Sequence, residues 1–435
     1  MIESTLLLNI VAAIVYLLVL LIPGYLVCLI ADIRRSRFVL SFCISFSLFV
    51  VWQLVGRSFG SSLDLWLLLS FTSLIVLLFF CWVYSRANSH ARPKRKLRLN
   101  TLFGAILILG GFSCYQLFVG PYTEIPSDLY KHLGRVKTLS NVLYGGVVPH
   151  LDLSLTELFF LGERRKYFIV PFLHAVVSVK LDVLPIDIVP AATLISSLIF
   201  LSSVYWFSLR LLAGIKMSID YKVAAASAAV IFTLLWFGVA TFSYVRYYAY
   251  FASIFNFCLF FGCVVLLLDY LERSTTSELN LMAIGSFLFV MRIVHEQEML
   301  FSLVILSGII VLHFVQVKKG TRSDCLILER RVKRLFVTVC VFVPVVICVV
   351  LLKKDLGSVV VPHVVDLGAS LSLGVPLLIA NPRLRFWDTL AVFGLVVYFW
   401  YFVRYAWFGR ISYITIAMLS PVITLFNPIF VGWFL

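Results

Sequence analysis

Charge is scarce in this chain. Asp, Glu, Lys and Arg make up 13% of its 435 residues, against a hydrophobic share of 62%. A soluble fold is typically about one quarter charged, so a water-soluble globular protein is excluded. Several enzyme motifs are also missing. The sequence holds no Gly-rich phosphate loop, no Walker sequence, no Gly-x-Ser-x-Gly elbow, no Asp-x-Asp pair and no Cys-x-x-Cys. ATP-driven work and serine-triad chemistry therefore have no support. The long apolar runs show no period-2 alternation, which argues against an outer-membrane barrel. The nine cysteines are scattered, mostly within apolar runs, and read as small core residues rather than a disulfide or metal framework.

What is present is long apolar runs, with a mean hydropathy of +1.04. At about 20 residues per crossing, they predict an all-α, polytopic membrane protein with about twelve transmembrane helices. Their expected limits are 6–31, 38–55, 63–85, 100–119, 187–209, 223–245, 249–270, 279–294, 298–316, 335–352, 387–403 and 411–430. The first run lacks a basic leader and exceeds a signal-peptide core, so it is read as a retained span. The expected organisation is a three-helix membrane segment, 1–99, followed by a catalytic membrane domain, 100–435, that includes an outer loop at 120–186. The apolar pieces of that loop are too short to span and are expected to be interfacial helices. The chain ends in an apolar run with no polar tail, as a shortened member of a longer family would.

The net charge of +15 is placed unevenly. Arg34, Arg35 and Arg37, the cluster at 92–98, and the cluster at 318–334 fall in one alternate set of loops. The opposite short loops carry few basic residues. The positive-inside rule then puts the N-terminus and the 120–186 loop outside the cytoplasm. Orientation and lipid headgroup contact account for the basic clusters, so no nucleic-acid partner is expected.

The polar run 124–135 interrupts this apolar chain. A helix starting near Ser127 places Asp128, His132 and Arg135 at i, i+4 and i+7, on one face turned to water, with Leu129, Leu133 and Val136 forming a separate apolar stripe. Helix capping by Ser127 or Asp128 is the plainer reading of the same residues. Further along the loop stand His150, then Arg164, Arg165 and Tyr167. Two Arg side chains suit phosphate oxygens, though a solvated turn fits them equally. Other polar junctions expected on the same side are Arg246 with Tyr247, Arg292 with His295, Glu296 and Glu298, and the Lys353–Lys354 pair. Charge at a membrane interface usually pairs or works, and Arg292 with Glu296 is such a pair at helical spacing. The run from His295 lacks the second His of a zinc protease. Its carboxylates, Glu296 and Glu298, retain the capacity to ligate Mg2+ or Mn2+. No other cofactor is expected, and metal dependence stays open.

An acid just beyond a membrane span, followed by a long outer loop and many further spans, resembles the GT-C superfamily of membrane glycosyltransferases. The residues carrying the resemblance are Ser127, Asp128, His132, Arg135, Pro149, His150, Tyr167, Pro171 and His174. It implies a polyprenyl-phosphate-linked sugar as donor, a glycan, lipid or protein as acceptor, and a site on the outer face of a bacterial inner membrane. It implies Asp128 as general base; His132 and Glu296 complete the candidate catalytic set. The basic and aromatic residues named above would then bind substrate. The family's catalytic loop usually follows the first span, whereas three extra spans precede it here. Two alternatives remain: a polymerase or ligase acting on diphosphate-linked glycans, and a lipid or solute transporter.

Overall fold

The computed structural model describes residues 2–30, 33, 37–58, 126–143, 169–212, 218–235, 252–272 and 279–294, with isolated positions between 72 and 83 and between 298 and 310. Among the described residues no strand occurs. The helices are α1 (Ile2–Leu20), α2 (Ile22–Ile30), α3 (Arg37–Ser58), α4 (Pro126–Leu143), α5 (Ile169–Leu181), α6 (Val189–Leu211), α7 (Ile219–Leu235), α8 (Ala252–Glu272) and α9 (Leu279–Val294). The chain divides into two units, 1–267 with 278–302, and 268–277 with 303–435. The described part of the second is the end of α8 and short helical pieces up to residue 310.

Among the described residues, three segments are long and apolar enough to cross a membrane: Leu7–Ile30, Val189–Leu211 and Ile254–Leu271. The surface pattern of the first is telling. Ala12, Tyr16, Leu20, Val27 and Cys28 are buried against other helices, whereas Leu7, Ile10, Ile14, Leu17, Leu18 and Leu29 are exposed. A helix in water turns its polar face outward. Here the outward face is aliphatic apart from Tyr25, and the inward face holds Tyr16, an arrangement suited to lipid.

The first span is interrupted at one residue. Pro23 has no N–H for the preceding turn and its ring crowds that turn's carbonyl. The break falls at Leu21, and backbone bonds from Leu21 to Leu17 (3.0 Å) and from Tyr25 to Leu21 (2.9 Å) carry the ladder across it. The Gly24 N–H donates to Ser45 Oγ at 2.7 Å, so a hydroxyl on α3 satisfies a backbone group near the break, a common device in apolar surroundings. A Cβ at Gly24 would lie 1.9 Å from the Ser41 carbonyl oxygen. Glycine is required there because α2 and α3 touch backbone to backbone. Beside this contact, Arg37 stacks over the Tyr25 ring at 5.7 Å.

The same close packing joins α3 to α8. Cys43 Sγ donates to the Cys258 carbonyl at 3.2 Å, and a Cβ at Gly262 would meet Cys43 Sγ at 2.5 Å. Phe42, Phe46 and Phe49 line one stripe of α3. Phe46 stacks on Phe255 of α8 at 5.0 Å, and Phe49 leans on Phe172 of α5 at 6.2 Å. The Asn256 side-chain amide donates to the Met291 carbonyl at 3.2 Å, tying α8 to α9. Small residues at these crossings let helices approach closely where water-driven association is absent.

The helix α5 differs from the expected interfacial helix. A helix lying on a membrane surface keeps one face outside the protein. Every residue from Ile169 to Ser178 is instead buried, so α5 is enclosed by protein on all sides. With 13 residues it is about 20 Å long, too short to cross a core of about 30 Å. It ends in a Schellman turn. Asp182 takes a positive φ of 51°, its N–H donates to the Val179 carbonyl, and the Val183 N–H donates to the Ser178 carbonyl. Asp187 then accepts from the Leu184 N–H and closes the loop into α6.

Candidate functional site

The polar run does fold as a helix, α4, but starts at Pro126, where a fixed φ suits the first helical position. Ser127 and Asp128 therefore lie inside the first turn rather than at the cap, and an acid there is favoured by the helix dipole. Asp128 precedes His132 by one turn.

The face assignment differs from expectation. Val136, Leu139 and Ser140 are buried, and His132 Nδ1 is shielded from solvent with them. Gly134, Lys137 and Asn141 are exposed on the opposite side. His132 thus belongs to the inward stripe together with Val136, not to a face turned toward water. Arg135 sits half-buried at the edge. The inward stripe is taken up by α5, which packs against α4 along much of its length. Apolar periodicity alone missed this because an imidazole shares the stripe with aliphatic residues.

On α5, His174 is fully buried, and its Nδ1 lies 2.6 Å from the hydroxyl of Tyr16 on α1. The rings meet edge to face at 5.6 Å. This link between two helices far apart in sequence was not read from the sequence. Its signal is a tyrosine near the middle of the first span. A second missed residue is Gln53 on α3, 1% exposed, with neither amide atom hydrogen-bonded. Ser47 and Ser196 also keep buried hydroxyls without a hydrogen-bond partner.

Arg292 occupies the last turn of α9. Glu298 follows in a short helical piece, where its carbonyl accepts from Ser302 Oγ at 2.6 Å. His150, Arg164, Arg165, Tyr167, Arg246, Tyr247, His295, Glu296, Lys353 and Lys354 lie outside the described residues. Among the described residues, no group of three or more His, Cys, Asp or Glu gathers as a metal site would.

No family model, curated protein or solved structure matches this chain. Two sets of described polar groups bear on function. Asp128, His132 and Arg135 ride on α4. Tyr16, Gln53 and His174 are buried where α1, α3 and α5 come together. The helix α5 is common to both, since it packs on α4 and bonds to α1.

Proposed function

We propose that this protein is a membrane glycosyltransferase that moves a sugar from a polyprenyl phosphate to a hydroxyl acceptor at the non-cytoplasmic face of a bacterial inner membrane. One observation carries the reading. The isolated polar run is an ordered helix, with an acid in its first turn, docked on a helix enclosed within an apolar bundle. The resemblance of the loop to the GT-C pattern and the charge asymmetry of the loops support the same reading.

The chemistry follows from the groups present. The acceptor oxygen attacks the anomeric carbon as the bond from that carbon to the lipid phosphate breaks, and the electron pair leaves with the phosphate. The acceptor proton passes to the Asp128 carboxylate, a contribution of about 10²–10⁴ in rate for a positioned base. Arg135 on the same helix, with Arg292 and the basic residues at 164, 165 and 246, supplies cations for the departing phosphate. A single displacement inverts the anomeric centre. His132, one turn from Asp128, is placed by helical register to orient the carboxylate.

The test is sugar transfer by purified protein in liposomes. Asp128→Asn should keep folding and donor binding while losing at least about 10²-fold in turnover. Near wild-type transfer would sink the base assignment. Dependence on Arg135 and Arg164 without dependence on Asp128 would favour a polymerase or ligase acting on diphosphate-linked glycans.

A further inference from the structure

A primary amide that is buried without partners is costly. Each unmet donor or acceptor forfeits about 1–3 kcal/mol, and such groups in native structures usually mark a bound molecule or a working site. Gln53 is in that position with both its Nε2 and its Oε1. Its surroundings can be located by register. Gly24 of α2 meets Ser45 of α3 through their hydrogen bond. Tyr16 lies eight residues before Gly24 along one strand of this antiparallel pair, and Gln53 lies eight residues after Ser45 along the other. Both are thus displaced by about 12 Å from the same contact, in the same direction. Gln53 also continues the stripe of Phe42, Phe46 and Phe49, one turn past the point where Phe49 meets Phe172 of α5. Two residues beyond Phe172 on α5 is His174, bonded to Tyr16. The amide therefore stands at the height of the Tyr16–His174 pair, on the stripe of α3 that faces α5.

We infer that Tyr16, Gln53 and His174 form a binding subsite for a neutral, hydroxylated ligand, the sugar ring of the donor or acceptor. The ligand class follows from the donor set. A primary amide offers two N–H donors and a carbonyl acceptor, which match adjacent ring hydroxyls that both donate and accept. A phenol and an imidazole, bonded to each other, stand at the same height. The three described groups include no Lys or Arg, so a phosphate would find no countercharge among them. Phosphate belongs instead with the cations assigned above, and the sugar with this uncharged set. The sugar identity of the ligand rests on the glycosyl-transfer reading, whereas the site itself rests on the buried amide.

The test uses the full-length protein in detergent, with melting temperature as readout and two probes: methyl glycosides of neutral hexoses and pentoses, and inorganic phosphate. Glycosides should raise the melting temperature of the wild type, and phosphate should not compete with them. Gln53→Met removes the amide at nearly constant volume. It should abolish the glycoside shift while leaving the unliganded melting temperature unchanged or higher, because an unmet polar group has been removed. A fall in the unliganded melting temperature would make Gln53 a structural or water-bonded residue and overturn the proposal. So would a wild type that does not respond to any glycoside, or a Gln53→Met protein that responds normally. Asp128→Asn separates the two readings. A glycoside shift that survives in this variant, together with transfer that does not need Asp128, would remove the proposed base and leave the subsite standing. Loss of transfer in Asp128→Asn with no Gln53-dependent shift would do the reverse.

Discussion

Replacing Gly24 with alanine tests whether the α2–α3 crossing sets the position of the site. The added Cβ would sit 1.9 Å from the Ser41 oxygen, 2.8 Å from its carbonyl carbon and 2.9 Å from the Ser45 nitrogen. All three are backbone atoms in a helix, so no side chain can rotate away. Restoring an ordinary contact near 3.4 Å requires the helices to part by about 1.5 Å. That separation stretches the Gly24–Ser45 hydrogen bond from 2.7 Å to beyond any useful length. Overpacking of this kind costs about 1–3 kcal/mol, and the stranded N–H adds about 1–3 kcal/mol. A loss of about 2–6 kcal/mol is expected in equilibrium unfolding from mixed micelles. Ser45→Ala alone should lose only the hydrogen-bond part, and the double variant should fall short of the sum, since both remove the same bond. Gly134→Ala is the control. Nothing lies within 4 Å of its added Cβ, so it should gain about 0.5–1 kcal/mol from helix propensity. Gly24→Ala with wild-type stability would refute the backbone contact and the register drawn from it.

Gly262→Ala should be milder than Gly24→Ala, because the obstacle is the Cys43 sulfur. Adding Cys43→Ala should recover most of the stability lost, as measured in the same unfolding assay. Tyr16→Phe withdraws the hydroxyl from His174 and should cost about 0.5–1.5 kcal/mol, with a wild-type value refuting the bond. A cysteine at Asn141, which is exposed, should react with an impermeant thiol reagent added from the non-cytoplasmic side. Ser140→Cys, at a position only 5% exposed, should resist labelling from either side. Labelling of Asn141→Cys from the cytoplasmic side alone would reverse the orientation and move the proposed site to the other face.

Much of the helical layout was legible because a membrane simplifies the code. A run of apolar residues long enough to span the bilayer has few alternatives to helix once its backbone must satisfy itself. The limits expected at 279–294 coincide with those of α9, and those at 38–55, 187–209 and 249–270 fall within a few residues of α3, α6 and α8; of these four helices, α6 and α8 are long and apolar enough to cross a membrane. The break ahead of Pro23 shows how one residue divides a run that composition reads as continuous. The polar run at 124–135 was legible for the same reason, since charge inside so apolar a chain stands out against its background.

The sequence by itself determined the class of the protein, the position of its apolar helices and the helical run that carries Asp128. Each follows from local composition and from hydrogen bonds between residues close along the chain. Only the tertiary structure decided which face of α4 turns inward, that α5 is enclosed by protein rather than lying on a surface, and that Tyr16 meets His174. It also left Gln53 buried without a partner at the same level. These depend on contacts between residues far apart in the chain, where a side chain's role is set by what stands opposite it. Tyr16 and Gln53 are unremarked in their own segments, and with His174 they become a candidate site once three helices bring them to one height in an apolar bundle.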